Sequence, residues 1–181
     1  MTLAYHFCGP TLRDGRPIPA DGEWLVHEGR VEICKTGLHA SRHPFDALQY
    51  APGATLCLVE CEDIVTEHDD KFVCRRRMIV KRIDATDLLW EAARRFVLSV
   101  IHLWDAEQVV KDFLETGNES LRAASAARAA WNAARAASAA SAASVARAAS
   151  AASVARAAWN AARAAQRDLF ARLVSEAMET P

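Results

Sequence analysis

From Asn118 to Thr180 the chain contains neither glycine nor proline, and residues 128–163 read RAAWNAARAASAASAASVARAASAASVARAAWNAAR without one acidic side chain. Few backbones suit such a stretch. Alanine is the best helix former, and a helix rich in it with spaced arginines holds even with little tertiary support. Asn118 or Ser120 can cap its start. At 1.5 Å per residue, a helix of about 60 residues runs roughly 90 Å. The non-alanine residues fall every third position (Arg122, Ser125, Arg128, Trp131), and the phase slips by one at each Trp-Asn pair. A three-residue step falls about 60° short of a turn, so Arg and Ser spiral around the axis and nearly every face offers alanine to a close-packing neighbour. That rotation spoils the regular flat face an ice-binding rod needs and counts against that reading. The octet RAAWNAAR occurs at 128–135 and again at 156–163, 28 residues later. Four heptads separate the copies, so Trp131 and Trp159 can share one seam of a supercoil, flanked by Arg128, Arg135, Arg156 and Arg163. Repeated exposed tryptophans are uncommon on monomers, which predicts self-association or docking through these six residues. The plainer alternative is a duplicated surface helix with two incidental tryptophans.

Charge sharpens that expectation. Residues 1–121 carry a net charge of −6, whereas residues 122–167 carry seven arginines and no acid. So asymmetric a chain docks its basic segment on something acidic: the N-terminal half of a second copy in a homo-oligomer, or an acidic surface on another protein. Nucleic acid is a non-specific partner at most, because the arginines do not line one face and no base-reading motif is present.

The rest of the chain changes character twice. Residues 1–83 hold short runs rich in β-branched and aromatic residues, punctuated by Gly, Pro and Asp, and predict strands. Between two of them SRHPFDALQYA predicts a short helix capped by Ser41. The charged run CRRRMIVKRI (74–83) suits an edge strand. Residues 84–117 turn helical, with apolar positions at Leu89, Ala93, Phe96, Val97, Val100, Ile101 and Trp104. Asp105 and Gln108 resemble a capping box for a second helix, which Gly117 closes. The expected fold is therefore α+β: a small, mostly antiparallel β domain (1–83) with one inserted helix, a covering helix pair (84–117) and a long alanine-rich C-terminal helix (118–180).

The five cysteines are an odd number scattered through strands, which is no disulfide framework. With no signal peptide and no apolar run of membrane length, the chain reads as cytoplasmic, away from the membrane. Cys57 and Cys61 lie four apart on one strand and do not form a zinc knuckle, so no metal is expected and buried, inert thiols are. There is no glycine-rich phosphate loop and no paired-carboxylate motif.

The stretch KTGLHASRHPFDALQYAPGATLCLVECED (35–63) resembles the core of ADP-ribosyltransferases of the poly-ADP-ribose polymerase type. There a Gly-[Ile/Leu]-Tyr-Phe-Ala strand leads into a short helix ending in Tyr. The resemblance covers about 75 residues and implies an NAD site. It sets His39 where the family stacks a tyrosine on nicotinamide, Tyr50 at the second aromatic position, and His6, from LAYHFCG, on the adenosine-side ribose. The catalytic carboxylate the family requires falls among Glu67, Asp69 and Asp70, in an expected loop. Histidine in place of tyrosine and a displaced carboxylate depart from the family pattern. Read without the resemblance, His39 holds a turn by hydrogen bonds, His6 is core and Tyr50 plugs a helix end. Nearly the whole chain also resembles a family of uncharacterised phage and bacterial proteins with a Cys-x-x-Gly-[Leu/Phe]-His-Ala motif before an alanine-rich tail. That likeness implies a mobile-element or accessory setting.

Two functions follow. The first is an interaction protein whose β domain binds a ligand or partner and whose alanine-rich helix self-associates, with no resident cofactor. The second is an NAD-dependent ADP-ribosyl transfer enzyme.

Overall fold

The computed structural model describes residues 1–103, 105–122 and 148–179, apart from the side chains of Leu103 and of residues 148–159. The chain is α+β and divides into two compact units. One is Met1–Leu89 with Leu169–Pro181, the other Trp90–Asp168.

In the first unit, five strands form one antiparallel sheet: β1 (Thr2–Cys8), β2 (Trp24–Val26), β3 (Leu38–Ala40), β4 (Thr55–Glu67) and β5 (Phe72–Asp84). The order is β1-β4-β5-β2, and β3 pairs with the Phe72–Cys74 end of β5 while β2 pairs with Arg76–Met78. The end of β3 then returns to β1. Tyr5 N donates to Ser41 O at 2.8 Å, and Ser41 N donates back to Tyr5 O at 2.9 Å. The sheet thus curls until its last short strand meets its first. Its inner face buries Ala4, Cys8, Cys57, Val59, Phe72 and Ile79, an alternation that follows from the two-residue period of a strand.

Helix α1 (Pro44–Leu48) sits between β3 and β4, with Pro44 at its first turn, where a missing N–H costs nothing. Its cap is His43, whose Nδ1 accepts from Phe45 N at 3.2 Å. Ser41, expected to cap, is 2 % exposed and committed to the β1 bridge.

The arginine run is not an edge. It lies in β5, which pairs with three other strands, and four of its five cations find their own outlets, while Arg77 is buried. Arg76 pairs with Glu62 and lies 4.5 Å over Trp24. Arg75 donates to Gly29 O, Arg82 to Asp21 and to Pro19 O, and Lys81 to Met178 O. Long side chains let a central strand carry charge by reaching past the sheet.

The end of the chain belongs to this unit too. From the last helix, α4 (Ala148–Glu179), Phe170, Leu173 and Val174 are buried, with Phe170 edge-on to Phe45 at 6.2 Å. Alanine-rich sequence ends near Ala165, and the apolar spacing Leu169, Phe170, Leu173, Val174 builds a core-facing stripe.

In the second unit, α2 (Thr86–Val100), which begins in the first, runs into a 3₁₀ turn (Ile101–Leu103) and is followed by α3 (Gln108–Thr116). Ala106, Val110 and Leu114 pack against Leu98 and Ile101. The buried side of α2 is turned from the expected stripe: Ala92 is buried and Val97 exposed. Asp105 and Gln108 make no capping box. Glu107 is the cap residue, without a side-chain bond, and Gln108 bonds Asp112 along the helix instead. Gly117 closes α3 in the left-handed conformation, φ 67°. Asn118 Oδ1 accepts from Ser120 N at 3.0 Å, as a cap does.

Candidate functional site

Three residues chosen from distant points of the sequence line one cavity of about 700 Å³: His6 from β1, His39 from β3 and Tyr50 from just beyond α1. The curl of the sheet brings β3 against β1, and α1 is short enough to leave Tyr50 at the rim. The remaining wall is strongly cationic. Arg13, Arg16, Lys35, Lys71 and Arg77 line it, and Asp14 is its one carboxylate. Asp14 is already taken, because Arg16 donates to both of its oxygens.

His39 is fixed from two sides. Its Nε2 accepts from Cys34 N at 3.0 Å, and its carbonyl accepts from Arg77. Burial foremost, then the charges of Lys71 and Arg77, hold its imidazole below the ordinary histidine range, against an opposing hydrogen bond with Gly37. The residue therefore does hold the 34–39 turn, and it presents a neutral ring to the cavity from that position. The turn needs Gly37, whose φ is 103° and whose missing side chain leaves room for Val73 and Val31. Cys34 itself adopts φ 67°. His6 is pushed down to about 4, by burial first and by Arg77 second, so it too is neutral near pH 7. Both are hydrogen-bonding groups of the wall, without charge.

Tyr50 is half exposed. Its hydroxyl donates to Asp70, and Lys71 Nζ stands 4.1 Å over its ring. The hydroxyl lowers the Asp70 carboxyl, and that carboxylate in turn raises the Tyr50 phenol. A cation–π contact thus already covers one face of the ring that would stack on a flat ligand. Of the carboxylates expected to serve catalysis, Glu67 is the last residue of β4 and not in a loop. It takes two hydrogen bonds from Arg42. Asp69 is exposed in the turn between β4 and β5. None of the three lines the cavity, and only Asp70 touches a residue that does.

Sequence reasoning passed over the wall's most unusual members. Arg77 is 7 % exposed, and among the described residues no carboxylate pairs with it. Cys8, also on the wall, has its sulfur 3.5 Å from that of Cys57. The hydrogen bond shared with Cys57 lowers the Cys8 thiol, with burial opposing it and His6 and Arg77 adding to the effect; Cys57 is raised by the same bond. Nothing in the run Arg75-Arg76-Arg77 marks which arginine turns inward, since that depends on the register of β5. Among the described residues, no group of three or more His, Cys, Asp or Glu is placed to hold a metal ion.

The partner-binding residues fare differently. Trp131, Arg128 and Arg135 lie outside the described residues, as do the side chains of Arg156 and Trp159. Arg163 is half-buried on α4. No helix among the described residues is long and apolar enough to cross a membrane.

A domain of unknown function, DUF7666, covers residues 2–91, which takes in all five strands and every residue of the cavity wall. No curated protein and no solved structure matches the chain.

Proposed function

We propose that the β domain is a ligand-binding module whose cavity takes a small anionic ligand carrying a flat ring, and that the chain works as an interaction protein joined to further copies through its alanine-rich segment. The observation that carries the first part is the composition of one cavity wall. The neutral imidazoles of His6 and His39 and the Tyr50 phenol offer hydrogen bonds and ring surface, while five cations, of which Lys35 is paired with Glu32, outnumber the one carboxylate of the wall, Asp14, already bound to Arg16. A cleft with convergent polar groups and one sign of charge draws a ligand of the opposite sign. Arginine matches the oxygens of phosphate or carboxylate in pairs, so a phosphorylated nucleoside fits both the charge and the rings. The net charges of −6 over 1–121 and +7 over 122–167 support self-association. A cytoplasmic, phage-like or accessory setting belongs to the same reading.

A second reading, NAD-dependent ADP-ribosyl transfer, is favoured by one observation: His6, His39 and Tyr50, the positions that resemblance assigns to the dinucleotide, share a cavity. Asp70, bound to the Tyr50 hydroxyl, is then the carboxylate that polarises the ribose.

Thermal unfolding with about 1 mM ADP-ribose, NAD⁺ or inorganic phosphate tests the binding site, since a dissociation constant near 100 μM adds roughly 1.4 kcal/mol and moves the midpoint a few degrees. The shift is expected with ADP-ribose and is lost in Lys71→Ala. The absence of a shift with all three ligands refutes an anion-binding cavity. Release of nicotinamide from NAD⁺, abolished by Asp70→Asn, would establish the transferase instead. Light scattering is expected to give a mass of at least two chains, and a single-chain mass refutes self-association.

A further inference from the structure

We propose that Cys8 is a nucleophilic thiolate on the cavity wall, paired with the buried Arg77 guanidinium and hydrogen-bonded by the Cys57 thiol, and that it forms covalent adducts with small carbon electrophiles entering the cavity. This assignment does not rest on the anionic ligand proposed above.

The argument begins with Arg77. It is 7 % exposed and its Nη1 donates to the His39 carbonyl. A guanidinium does not give up its proton in a protein, and a buried cation without a counter-charge is strongly disfavoured. Among the described residues no carboxylate forms an ion pair with it, and the acidic groups that act on it most are four thiols: Cys8, Cys61, Cys74 and Cys57; Glu23 shares a small cavity with Arg77 and Cys8, and accepts from Ala20 N. The charge that answers Arg77 is thus assigned to sulfur. Of these four, Cys57 and Cys61 are pushed up by their hydrogen bonds with Cys8 and Cys74, and Cys74 donates its own proton to the Leu38 carbonyl. Cys8 is the one of the four that lines the large cavity. Ionised and reachable coincide at one atom.

The groups facing Cys8 come from each packed strand: His6 on β1 itself, Cys57 on β4 and Arg77 on β5, with His39 of β3 acting on His6. The carboxylates nearby are engaged elsewhere: Glu23, which shares a small cavity with Cys8, accepts from Ala20 N, and Asp14 on the large cavity is bound by Arg16. The geometry also disfavours a disulfide. In the β1–β4 register His6 faces Cys57 and Cys8 faces Thr55, so the two cysteines are diagonal neighbours. Diagonal residues lie about 7–8 Å apart, beyond the Cα separation of about 4.4–6.8 Å that a disulfide accepts. A shared proton holds the pair, and the Cys8 sulfur keeps its lone pair for an incoming electrophile. In the reaction, that lone pair forms a sulfur–carbon bond as the bond from carbon to the leaving group breaks, and the leaving group departs with its electron pair. No proton is removed, and the product is a neutral thioether.

Iodoacetamide on the intact chain tests this between pH 6 and 8.5, with trypsin and mass spectrometry to locate the label. Cleavage separates Cys8 (Met1–Arg13) from Cys34, from Cys74 and from the peptide holding both Cys57 and Cys61. An ordinary thiol, with pKa near 8.5, loses its thiolate by more than about a hundredfold over that range. The Cys8 peptide is expected to change less than about threefold, and Arg77→Met to restore the steep profile. If circular dichroism shows that Arg77→Met is unfolded, Cys57→Ala, which removes only the donor, is expected to move the profile toward higher pH. A Cys8 profile as steep as that of free cysteine, or no labelling at Cys8 at any pH, overturns the proposal, as does a flat profile left unchanged by the variants that fold.

Discussion

Replacing Gly37 with alanine tests whether the 34–39 turn is held by local conformation alone or also by packing against β5. A Cβ at position 37 meets Val73 Cγ2 at 2.6 Å and Val31 Cγ1 at 3.0 Å, on a backbone with φ 103°. The first distance is too short for any real contact, and Val73 is fully buried. Two costs follow. Placing a side chain on a positive-φ backbone costs about 1–2 kcal/mol, and overfilling a packed core costs about 1–3 kcal/mol more. Gly37→Ala is therefore expected to lose roughly 2–5 kcal/mol. Gly15 isolates the first cost, because its φ is 85° and nothing lies within 4 Å of its Cβ position. Gly15→Ala should lose only about 1–2 kcal/mol. Urea unfolding of both variants beside the parent chain, read as midpoint at constant slope, measures the difference. In a double-mutant cycle, Val73→Ala should restore about 1–3 kcal/mol to Gly37→Ala, since neighbours in contact do not add. Equal losses at the two glycines, together with additivity to Val73→Ala, would refute the packing argument and leave Gly37 a purely conformational requirement.

Other consequences can be measured in the same way. His6 is held near 4 against 6.5 in the unfolded chain, so the unfolded state binds the extra proton. The stability it contributes is complete above pH 6.5 and is lost as pH falls toward 4, up to about 3 kcal/mol; His6→Asn should flatten the parent's fall in urea midpoint between pH 7 and 5, and an equally steep fall in the variant would count against it. Phe170→Ala removes a fully buried ring against Phe45 and should cost about 3–5 kcal/mol, seen as early unfolding of the β domain; a change within about 0.5 kcal/mol would place Phe170 outside its core. Arg42→Ala breaks an ion pair in which both side chains are more than one-third exposed, so it should cost under about 1 kcal/mol, and a larger loss would mean that its position over the Phe72 ring matters more than the charge.

How far the sequence alone reached can be judged residue by residue. Strands, the inserted helix and the helix pair were legible because each carries its own period, two residues for a strand and nearly four for a helix, and because Gly117 announces a helix end that only a flexible residue takes easily. The convergence of His6, His39 and Tyr50 on one cavity is not legible in local pattern, for nothing local in Ala-Tyr-His-Phe or Gly-Leu-His-Ala points either ring at the other. Caps were misjudged where a candidate had a stronger use elsewhere: Ser41 gives both backbone groups to Tyr5, and His43 takes the helix instead.

Tertiary structure alone decided three things. It made the arginine-rich strand central, because β2 and β3, each three residues long, lie end to end along one side of β5. It turned one arginine of three into a buried cation beside four thiols, a neighbourhood assembled from β1, β4 and β5. It also returned Phe170, Leu173 and Val174, at the far end of the alanine-rich segment, to the core of the β domain. Period and propensity act over a few neighbouring residues and can be read along the chain. Burial, charge pairing and cavity lining depend on which distant segments meet, and that is fixed only when the sheet closes.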